Sequence, residues 1–172
     1  HSRILIEKGV REFFQVAKIL KNKKTNLRFI LIGKIDKHNP STLRLNDLLE
    51  WSKEPNFKWI DYKEDIRSYI YQADISCLPS YREGLPKSIL EAQSMGRPAI
   101  VSNVEGCRTV IKNNYNGFLF APKSSESIIK CIKKFISLSS KDRLKMSFNS
   151  YTNTKKKFNN VFITHQYLKD IG

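Results

Sequence analysis

The feature that most constrains the fold is a regular alternation between short apolar segments and segments with helical periodicity. Residues 29–32 and 99–101 are apolar throughout and have the length of strands. Apolar residues recur over 10–20 at the spacing of one helix face, and Pro86 and Gly96 mark the start and end of another helix. The pattern predicts strands over 3–6, 27–32, 57–60, 75–78, 99–101 and 118–120. It predicts helices from 10, from a cap at Ser41 or Thr42, over 66–71, over 86–95, and twice after Ser124.

Strands that are apolar at nearly every position are typical of a parallel sheet covered by helices on both faces. The predicted fold class is therefore α/β, with a doubly wound, mostly parallel, Rossmann-like sheet. The 172 residues fit a single domain, 1–172, in which 138–172 forms a C-terminal helical extension. Because 3–6 resembles the end of a first strand, we expect the chain to be the C-terminal piece of a longer protein.

Composition excludes several classes of protein. There are 31 Lys and Arg residues against 16 Asp and Glu, and the net charge of +15 excludes an acidic tail or linker. Three cysteines without a C-x-x-C pair and three scattered histidines argue against a disulfide framework and a zinc site. No apolar run approaches the ~20 residues that span a bilayer. These features predict a protein of a reducing, cytoplasmic compartment.

Residues that follow the predicted strands are the first candidates for a site, because ligands of open α/β sheets bind beyond the carboxyl ends of the strands. These residues are Glu7 and Lys8 after the first strand, Gly33 and Lys34 after the second, Asp61 after the third, and 79–86 after the fourth. We expect the four loops to converge on one crevice.

The most informative of these loops runs from Ser80 into the helix that holds Glu91. Gly84 allows the backbone to approach a ligand closely. The amides of Gly84 and Leu85 lie next to a helix N-terminus, which favours an anion such as phosphate. Glu83 and Glu91 add two carboxylates, which accept hydrogen bonds from sugar hydroxyls. A ligand that carries a ribose, a diphosphate and a hexose would satisfy all of these features.

Simpler interpretations of the same residues stay open. Two glutamates eight positions apart are often solvated charges, and Gly84 with Pro86 is also the pattern of a turn and a helix start. Gly33 is equally the pattern of a strand end. Arg3 and Lys8 add cationic donors near the expected phosphate position, although most Lys and Arg side chains are solvated surface.

Residues 80–92, Ser-Tyr-Arg-Glu-Gly-Leu-Pro-Lys-Ser-Ile-Leu-Glu-Ala, resemble the E-x7-E motif of the retaining GT-B glycosyltransferases of family 4, the glycosyl transferases group 1. The similarity extends from Arg3 to about Phe135. The flanking segments that resemble the family are 7–9, 33–40, 73–80, 95–98, 105–108 and 115–118. Segments 36–40 and 106–108 are similar to the bacterial branch that builds capsule and O-antigen units on lipid carriers.

The resemblance implies the C-terminal, donor-binding half of a GT-B fold, in which the N-terminal acceptor domain is missing from this chain. It implies catalytic roles for Arg3 and Lys8 at the diphosphate and for Glu83 at the hydroxyls of the donor hexose. Glu91 is expected to hold the ribose hydroxyls. The other donor-binding residues implied are Gly84, Leu85, Pro86 and Gly33, together with Ile60 and Ser80 in the base pocket.

The resemblance further implies transfer of a hexose or N-acetylhexosamine from a nucleotide diphosphate sugar, with a UDP-sugar expected. The acceptor is a glycan or a lipid-linked glycan, the anomeric configuration is retained, and the setting is bacterial surface polysaccharide biosynthesis. No cofactor or metal is expected, and no Asp-x-Asp segment is present to hold Mg²⁺. The chain lacks the G-x-G-x-x-G turn of dinucleotide enzymes, which disfavours an epimerase. The isolated chain is expected to bind nucleotide weakly and to transfer no sugar.

Lysine accumulates late in the chain, at 123, 130, 133, 134, 141, 145 and 155–157. The simplest interpretation is the solvated face of helices that pack on the core. Attraction to an anionic membrane is the second, and it would place the protein on the inner face of the cytoplasmic membrane. A non-catalytic basic module for nucleic acid or anionic membranes is the alternative function. No nucleic-acid partner is expected, because no recognised binding motif accompanies the charge.

Overall fold

Strands and helices alternate along the chain in the computed structural model, which describes residues 2–21 and 26–158. The strands are β1 (Ser2–Arg3), β2 (Phe29–Lys34), β3 (Phe57–Ile60), β4 (Ser76–Leu78), β5 (Ala99–Ser102) and β6 (Gly117–Phe120). The helices are α1 (Val10–Leu20), α2 (Leu45–Trp51), α3 (Arg67–Gln72), α4 (Lys87–Ser94), α5 (Glu105–Val110), α6 (Ser125–Ser137) and α7 (Ser140–Lys157). A 3-10 turn, Ile6–Lys8, connects β1 to α1. The predicted α/β alternation is confirmed.

The named strands pair in parallel in two groups. β2 lies between β1 and β3, and β5 lies between β4 and β6. The two groups meet at the segments after β1 and β4, where the Tyr81 N–H donates to the Glu7 carbonyl over 2.8 Å. The order across the molecule is therefore β3-β2-β1 followed by β4-β5-β6. This is the doubly wound arrangement, and its reversal point lies between β1 and β4.

The main core joins α1 and α6 to the strands of both groups. Its fully buried members include Val16 and Ala17 of α1, Ile100 of β5 and Ile128 of α6. This packing explains the apolar periodicity over 10–20, since the face that carries those residues is the one buried here. A second cluster, which includes Ile89, joins α4 and α5 to β4 and β5.

α7 packs against α4. The Thr154 hydroxyl donates to Gln93 Oε1 over 3.3 Å, and the Ser150 hydroxyl lies 3.0 Å from the Asn116 carbonyl. Met146 is buried in the main core. Within the extension predicted over 138–172, α7 is thus helical and packed on the rest of the domain, while 159–172 lie outside the described residues.

The predicted cap of the second helix is wrong. α2 begins with Arg44 at its N-cap and not with Ser41 or Thr42, and the Arg44 backbone N–H donates to Asp47 Oδ2 over 3.3 Å. The Thr42 hydroxyl donates instead to the carbonyl of Ile4 over 3.0 Å. That side chain therefore ties the loop to the segment after β1 and is not available as a cap.

Two further details differ from the sequence prediction. The first strand ends at Arg3, because Ile6–Lys8 form a 3-10 turn and Gly9, with φ of 69°, leads the chain into α1. α5 has no counterpart among the predicted helices. It has six residues, and Gly106 lies in its first turn, so it is too short for a recognisable apolar period.

Candidate functional site

A cavity of about 420 Å³ lies where the segments after β1, β4 and β5 meet. Its lining residues are Lys8, Arg82, Glu83, Gly84, Val104 and Glu105. Lys8 follows β1, residues 82–84 follow β4, and residues 104–105 follow β5. The cavity therefore lies at the carboxyl edge of the sheet, beside the reversal point, where doubly wound folds bind their ligands.

Lys8 and Glu83 form the central charged pair of this cavity. Lys8 Nζ lies 2.7 Å from Glu83 Oε1, and the two side chains are 23% and 11% exposed. Because both charges are only partly solvated, their attraction is screened less than that of a surface ion pair. The structure thus brings together two of the three residues predicted to act in catalysis.

Two glycines hold the loop that carries Glu83. Gly9 adopts a φ of 69°, and a Cβ at this position would overlap the Pro79 carbonyl. A Cβ at Gly106 would overlap the carbonyl oxygens of Glu83 and Gly84. The loop is therefore clamped between the start of α1 and the start of α5, and only glycine permits both approaches.

Ser80 holds the same loop from inside. It is fully buried, and its hydroxyl lies 2.9 Å from the Arg82 carbonyl and 3.3 Å from the Glu7 carbonyl. The neighbouring Tyr81 hydroxyl donates to Glu12 Oε1 over 2.6 Å. Burial, reinforced by this hydrogen bond, raises the pKa of Tyr81 to about 12. The side chain of Ser80, which was predicted to line a base pocket, faces the loop backbone.

Arg3 lies at the end of β1 and is not among the lining residues of the cavity. Its Nη1 lies 3.1 Å from Asp36 Oδ2, and its side chain is 64% exposed. Gly33 and Ile60 lie at the carboxyl ends of β2 and β3, and the Gly33 carbonyl accepts a hydrogen bond from Trp59 Nε1 over 3.1 Å. Since neighbouring strands are ~4.8 Å apart, these residues extend the same sheet edge away from the cavity.

Leu85, Pro86 and Glu91 lie in or beside α4, outside the cavity lining. The Leu85 side chain is exposed, and Pro86 is buried at the N-cap of α4. Glu91 is exposed at the fifth position of the helix. The geometry neither adds these residues to the cavity nor assigns them another site, and the donor-binding role of each stays a prediction.

Three lining residues have no role assigned from the sequence: Arg82, Val104 and Glu105. Val104 and Glu105 could have been predicted from the sequence, because they follow the carboxyl end of β5. Ligands of open α/β sheets bind beyond the carboxyl ends of the strands, and this holds for β5 as for the other strands. Glu105 begins α5 and places a second carboxylate at the cavity beside Glu83. Arg82 lies within the motif segment, but nothing in its sequence position separates it from an ordinary surface arginine.

Cys107 is fully buried in α5. Burial, reinforced by the negative charge of Glu83, raises the pKa of its thiol to about 12. The side chain is therefore a neutral thiol at physiological pH and is not a nucleophile of the site.

Two kinds of feature are absent from the part of the chain that the structure describes. No cluster of three or more His, Cys, Asp or Glu side chains there has an arrangement that would bind a metal ion. None of the helices in that part is both long enough and apolar enough to span a bilayer.

Sequence relatives of the chain are glycosyltransferases. The family model described as glycosyl transferases group 1 matches residues 1–153. An N,N'-diacetylbacillosaminyl-diphospho-undecaprenol alpha-1,3-N-acetylgalactosaminyltransferase of Campylobacter jejuni is 33% identical over 98% of this chain and 42% of its own length. A UDP-Gal:alpha-D-GlcNAc-diphosphoundecaprenol alpha-1,3-galactosyltransferase of Escherichia coli is 33% identical over 60% of this chain and 26% of its own length. The chain thus spans less than half the length of these relatives.

Solved structures share the fold. Anabaena HepE in complex with UDP and glucose superimposes with a TM-score of 0.85 at 20% identity, over 98% of this chain and 46% of that one. The C-terminal domain of the group 1 glycosyl transferase LpcC from Francisella tularensis superimposes with a TM-score of 0.79 at 25% identity, over 93% of this chain and 84% of that one. The chain therefore belongs to the glycosyl transferases group 1 family, and its fold is the Rossmann-like C-terminal half of a GT-B glycosyltransferase.

Proposed function

We propose that this chain is the donor-binding domain of a retaining glycosyltransferase of bacterial surface polysaccharide biosynthesis. The enzyme transfers a hexose or N-acetylhexosamine from a UDP-sugar to a glycan or lipid-linked acceptor. The observation that carries the proposal is the 2.7 Å pair of Lys8 and Glu83 at the reversal of the sheet. It places a cation suited to a diphosphate beside a carboxylate suited to sugar hydroxyls.

The chemistry assigned to this pair follows from charge. The diphosphate binds at Lys8 and replaces Glu83 as the partner of its ammonium group, and Glu83 then accepts hydrogen bonds from the hexose. As the bond between the anomeric carbon and the diphosphate oxygen breaks, negative charge develops on the leaving diphosphate, and Lys8 stabilises it. Arg3 adds a second cation by exchanging Asp36 for phosphate. The acceptor hydroxyl attacks the anomeric carbon from the face that the diphosphate leaves and passes its proton to the departing diphosphate oxygen. The anomeric configuration is therefore retained.

The remaining donor contacts extend from the cavity along the sheet edge and α4. In the proposal, Glu91 accepts hydrogen bonds from the ribose hydroxyls. The amides of Gly84 and Leu85, next to Pro86 at the start of α4, face the sugar and phosphates. In the proposal the base lies towards Gly33 and Ile60, and Ser80 positions the adjoining loop through its contacts with the Glu7 and Arg82 carbonyls.

Names and ligands of related proteins support the choice of donor and acceptor. The Escherichia coli relative is named for UDP-Gal as its donor, and HepE was solved with UDP. The Campylobacter jejuni and Escherichia coli relatives are named for diphosphoundecaprenol-linked substrates. We extend these features to this chain as a UDP-sugar donor and a lipid-linked acceptor, which places the enzyme at the inner face of the cytoplasmic membrane.

The domain organisation is part of the same proposal. The chain covers 84% of the separately solved C-terminal domain of LpcC but only 42% of the Campylobacter jejuni relative. We assign residues 1–172 to a single donor domain whose acceptor-binding N-terminal partner belongs to the same polypeptide. No cofactor is required, because the sugar nucleotide is itself a substrate.

Calorimetric titration of the chain with UDP, GDP and ADP tests the proposal. One nucleotide, UDP, is expected to bind preferentially, and Lys8→Met and Glu91→Gln are expected to weaken its binding by roughly tenfold each. Matched controls are Lys133→Met and Glu126→Gln, which change the same charges on α6, a helix that contributes nothing to the cavity lining. The basic binding module would be favoured instead if the affinity were the same for all three nucleotides, fell steeply with salt and did not change in Lys8→Met and Glu91→Gln.

A further inference from the structure

α7 has two faces of different character. On the inward face, Met146 and Thr154 are buried. On the outward face, Leu144, Phe148 and Tyr151 follow one another at helical spacing and are 70%, 66% and 41% exposed. Leu144 and Phe148 are four positions apart and together form an exposed apolar patch on one face of the helix.

Lysines alternate with these apolar residues. At ~100° per residue, Lys141, Lys145 and Lys155 all project within roughly 60° of the direction of Phe148. All three lysines are exposed, and Lys155 Nζ lies 5.6 Å from the centre of the Tyr151 ring. The outward face of α7 therefore consists of Lys141, Leu144, Lys145, Phe148, Tyr151 and Lys155.

Within α7 itself, no carboxylate lies on this face. The acidic residue of α7 is Asp142, whose Oδ2 accepts a hydrogen bond from the Ser139 hydroxyl over 2.6 Å at the start of the helix. By the same rotation per residue, Asp142 lies roughly 120° from the direction of Phe148. The outward face thus combines exposed apolar surface with positive charge that no carboxylate of α7 offsets.

We propose that the outward face of α7 binds the surface of an anionic lipid bilayer, with the helix axis parallel to the membrane plane. Leu144 and Phe148 enter the boundary between headgroups and acyl chains, and the lysines contact anionic headgroups. An apolar insertion and a basic patch together supply the two signals that stable anchoring requires. This surface is separate from the proposed donor site, because no residue lining the cavity belongs to α7.

Charge favours a bilayer over a second copy of the chain as the occupant of this face. In a symmetric dimer through the outward face, Lys141, Lys145 and Lys155 would meet the same lysines of the other copy without a carboxylate between them, and such a contact is unfavourable. An anionic bilayer offers the opposite charge over the full length of the helix, ~27 Å for 18 residues.

Co-sedimentation of the chain with vesicles tests the apolar half of the proposal. We expect binding to vesicles of equal parts phosphatidylglycerol and phosphatidylcholine, and little binding to phosphatidylcholine alone. The pair Leu144→Ser and Phe148→Ser is expected to reduce binding by roughly tenfold or more, since both side chains lose their apolar contact with the lipid. The matched control is Leu45→Ser with Leu49→Ser, two residues of α2 that are 49% and 50% exposed and four positions apart. Equal binding by the two double variants would overturn the proposal.

A second pair of variants tests the basic half without changing apolar surface. Lys141→Gln with Lys145→Gln is expected to weaken binding roughly thirtyfold, since each lysine near an anionic surface contributes about 1 kcal/mol. Lys58→Gln with Lys133→Gln removes the same net charge elsewhere, and its smaller effect would support the proposal. If both pairs of variants lost the same amount of vesicle binding, the effect would come from overall charge and the proposal would be overturned. The unchanged chain could instead self-associate and fail to bind vesicles. If the Leu144 and Phe148 variants abolished that self-association, the face would bind a second copy of the chain and the membrane proposal would be overturned.

UDP titration of the same variants keeps this inference separate from the proposed function. Their affinity for UDP is expected to equal that of the unchanged chain. If the unchanged chain binds vesicles through α7 but does not bind UDP, the donor-site proposal fails and the membrane proposal stands.

Discussion

Gly106, in the first turn of α5, lies directly against the carbonyl oxygen of Gly84, in the loop between β4 and α4. The approach leaves no room for a side chain on Gly106. It couples the segment after β5 to the loop that presents Glu83, so the two edges of the cavity have a fixed relative position. The shape of the candidate site thus depends on a backbone contact as much as on its charged side chains.

Gly106→Ala is expected to destabilise the fold and to weaken nucleotide binding. The added Cβ meets backbone atoms of Glu83 and Gly84, which cannot rotate away, so the loop must shift at a cost of about 1–3 kcal/mol. Urea denaturation and UDP titration measure the two effects. The control is Gly84→Ala, where nothing lies within 4 Å of the added atom, and its stability should change by no more than about 0.5 kcal/mol. Equal stability of the two variants would contradict the packing argument.

Lys8 and Glu83 should behave as a coupled pair in a double-mutant cycle. Lys8→Met and Glu83→Gln each leave a partly buried partner without its counter-charge, and each should lower the free energy of unfolding by about 1–3 kcal/mol. The double variant should lose less than the sum, with a coupling of about 1 kcal/mol. Urea denaturation of the four proteins checks this. Strict additivity would mean that the 2.7 Å contact contributes nothing to stability.

The same two substitutions should have opposite effects on the affinity for UDP, which carries no hexose. Lys8→Met removes the cation that meets the diphosphate, whereas Glu83→Gln removes the carboxylate that competes with the diphosphate for that cation. UDP should therefore bind roughly tenfold more weakly to the first variant and at least as tightly to the second. Calorimetry measures both affinities, and a parallel loss in both variants would argue against competition at Lys8.

Cys107 should resist alkylation over most of the alkaline range. With its pKa raised to about 12 by burial, the thiol is ionised to only about one part in ten thousand at pH 8. Mass spectrometry after iodoacetamide treatment should find Cys107 unmodified in the native chain and modified in urea. Because the folded pKa lies above the ordinary value of 9.0, the thiol contributes stability that is complete below pH 9 and is lost as the pH rises towards 12. Fast native alkylation at pH 8 would show that the thiol is neither buried nor neutral.

Asn116 should be one of the costliest polar residues to remove. Its side chain is fully buried, donates to the Val110 carbonyl over 2.9 Å and accepts from the Lys112 N–H over 2.8 Å. Asn116→Ala leaves both backbone groups without these partners and should cost about 2–4 kcal/mol in urea denaturation. Asn46→Ala, at an exposed position of α2, is the control and should cost no more than about 0.5 kcal/mol.

The 172-residue chain alone is expected to bind nucleotide weakly and to transfer no sugar. In the proposal the acceptor site and part of the donor site belong to the N-terminal domain of the same polypeptide. A coupled assay for UDP release, with and without acceptor, checks this expectation. Sustained turnover by the chain alone would refute the proposal that the acceptor site belongs to the N-terminal domain.

Several elements could be predicted from the sequence because their signals are local. The apolar face of α1 recurs every three to four residues, and β3 coincides with the apolar segment 57–60. The segment from Ser80 to Ala92 carries a motif that indicates a glycosyltransferase, and membership of the glycosyl transferases group 1 is confirmed by the match over residues 1–153. The cavity lies at the carboxyl ends of the strands as predicted, but of the four segments expected to converge there only those after β1 and β4 line it.

Other features were decided only by the tertiary structure. The pairing of Lys8 with Glu83 joins residues 75 positions apart, and the Thr42 hydroxyl bonds to the backbone near β1 although its local pattern is that of a helix cap. α7 is polar overall, and only its packing on α4 determines which side faces outward. Periodicity and motifs specify which surfaces must be buried and which edge binds ligands. Contacts between residues distant in sequence depend on how loops and helices pack against one another, and no local sequence pattern encodes that packing.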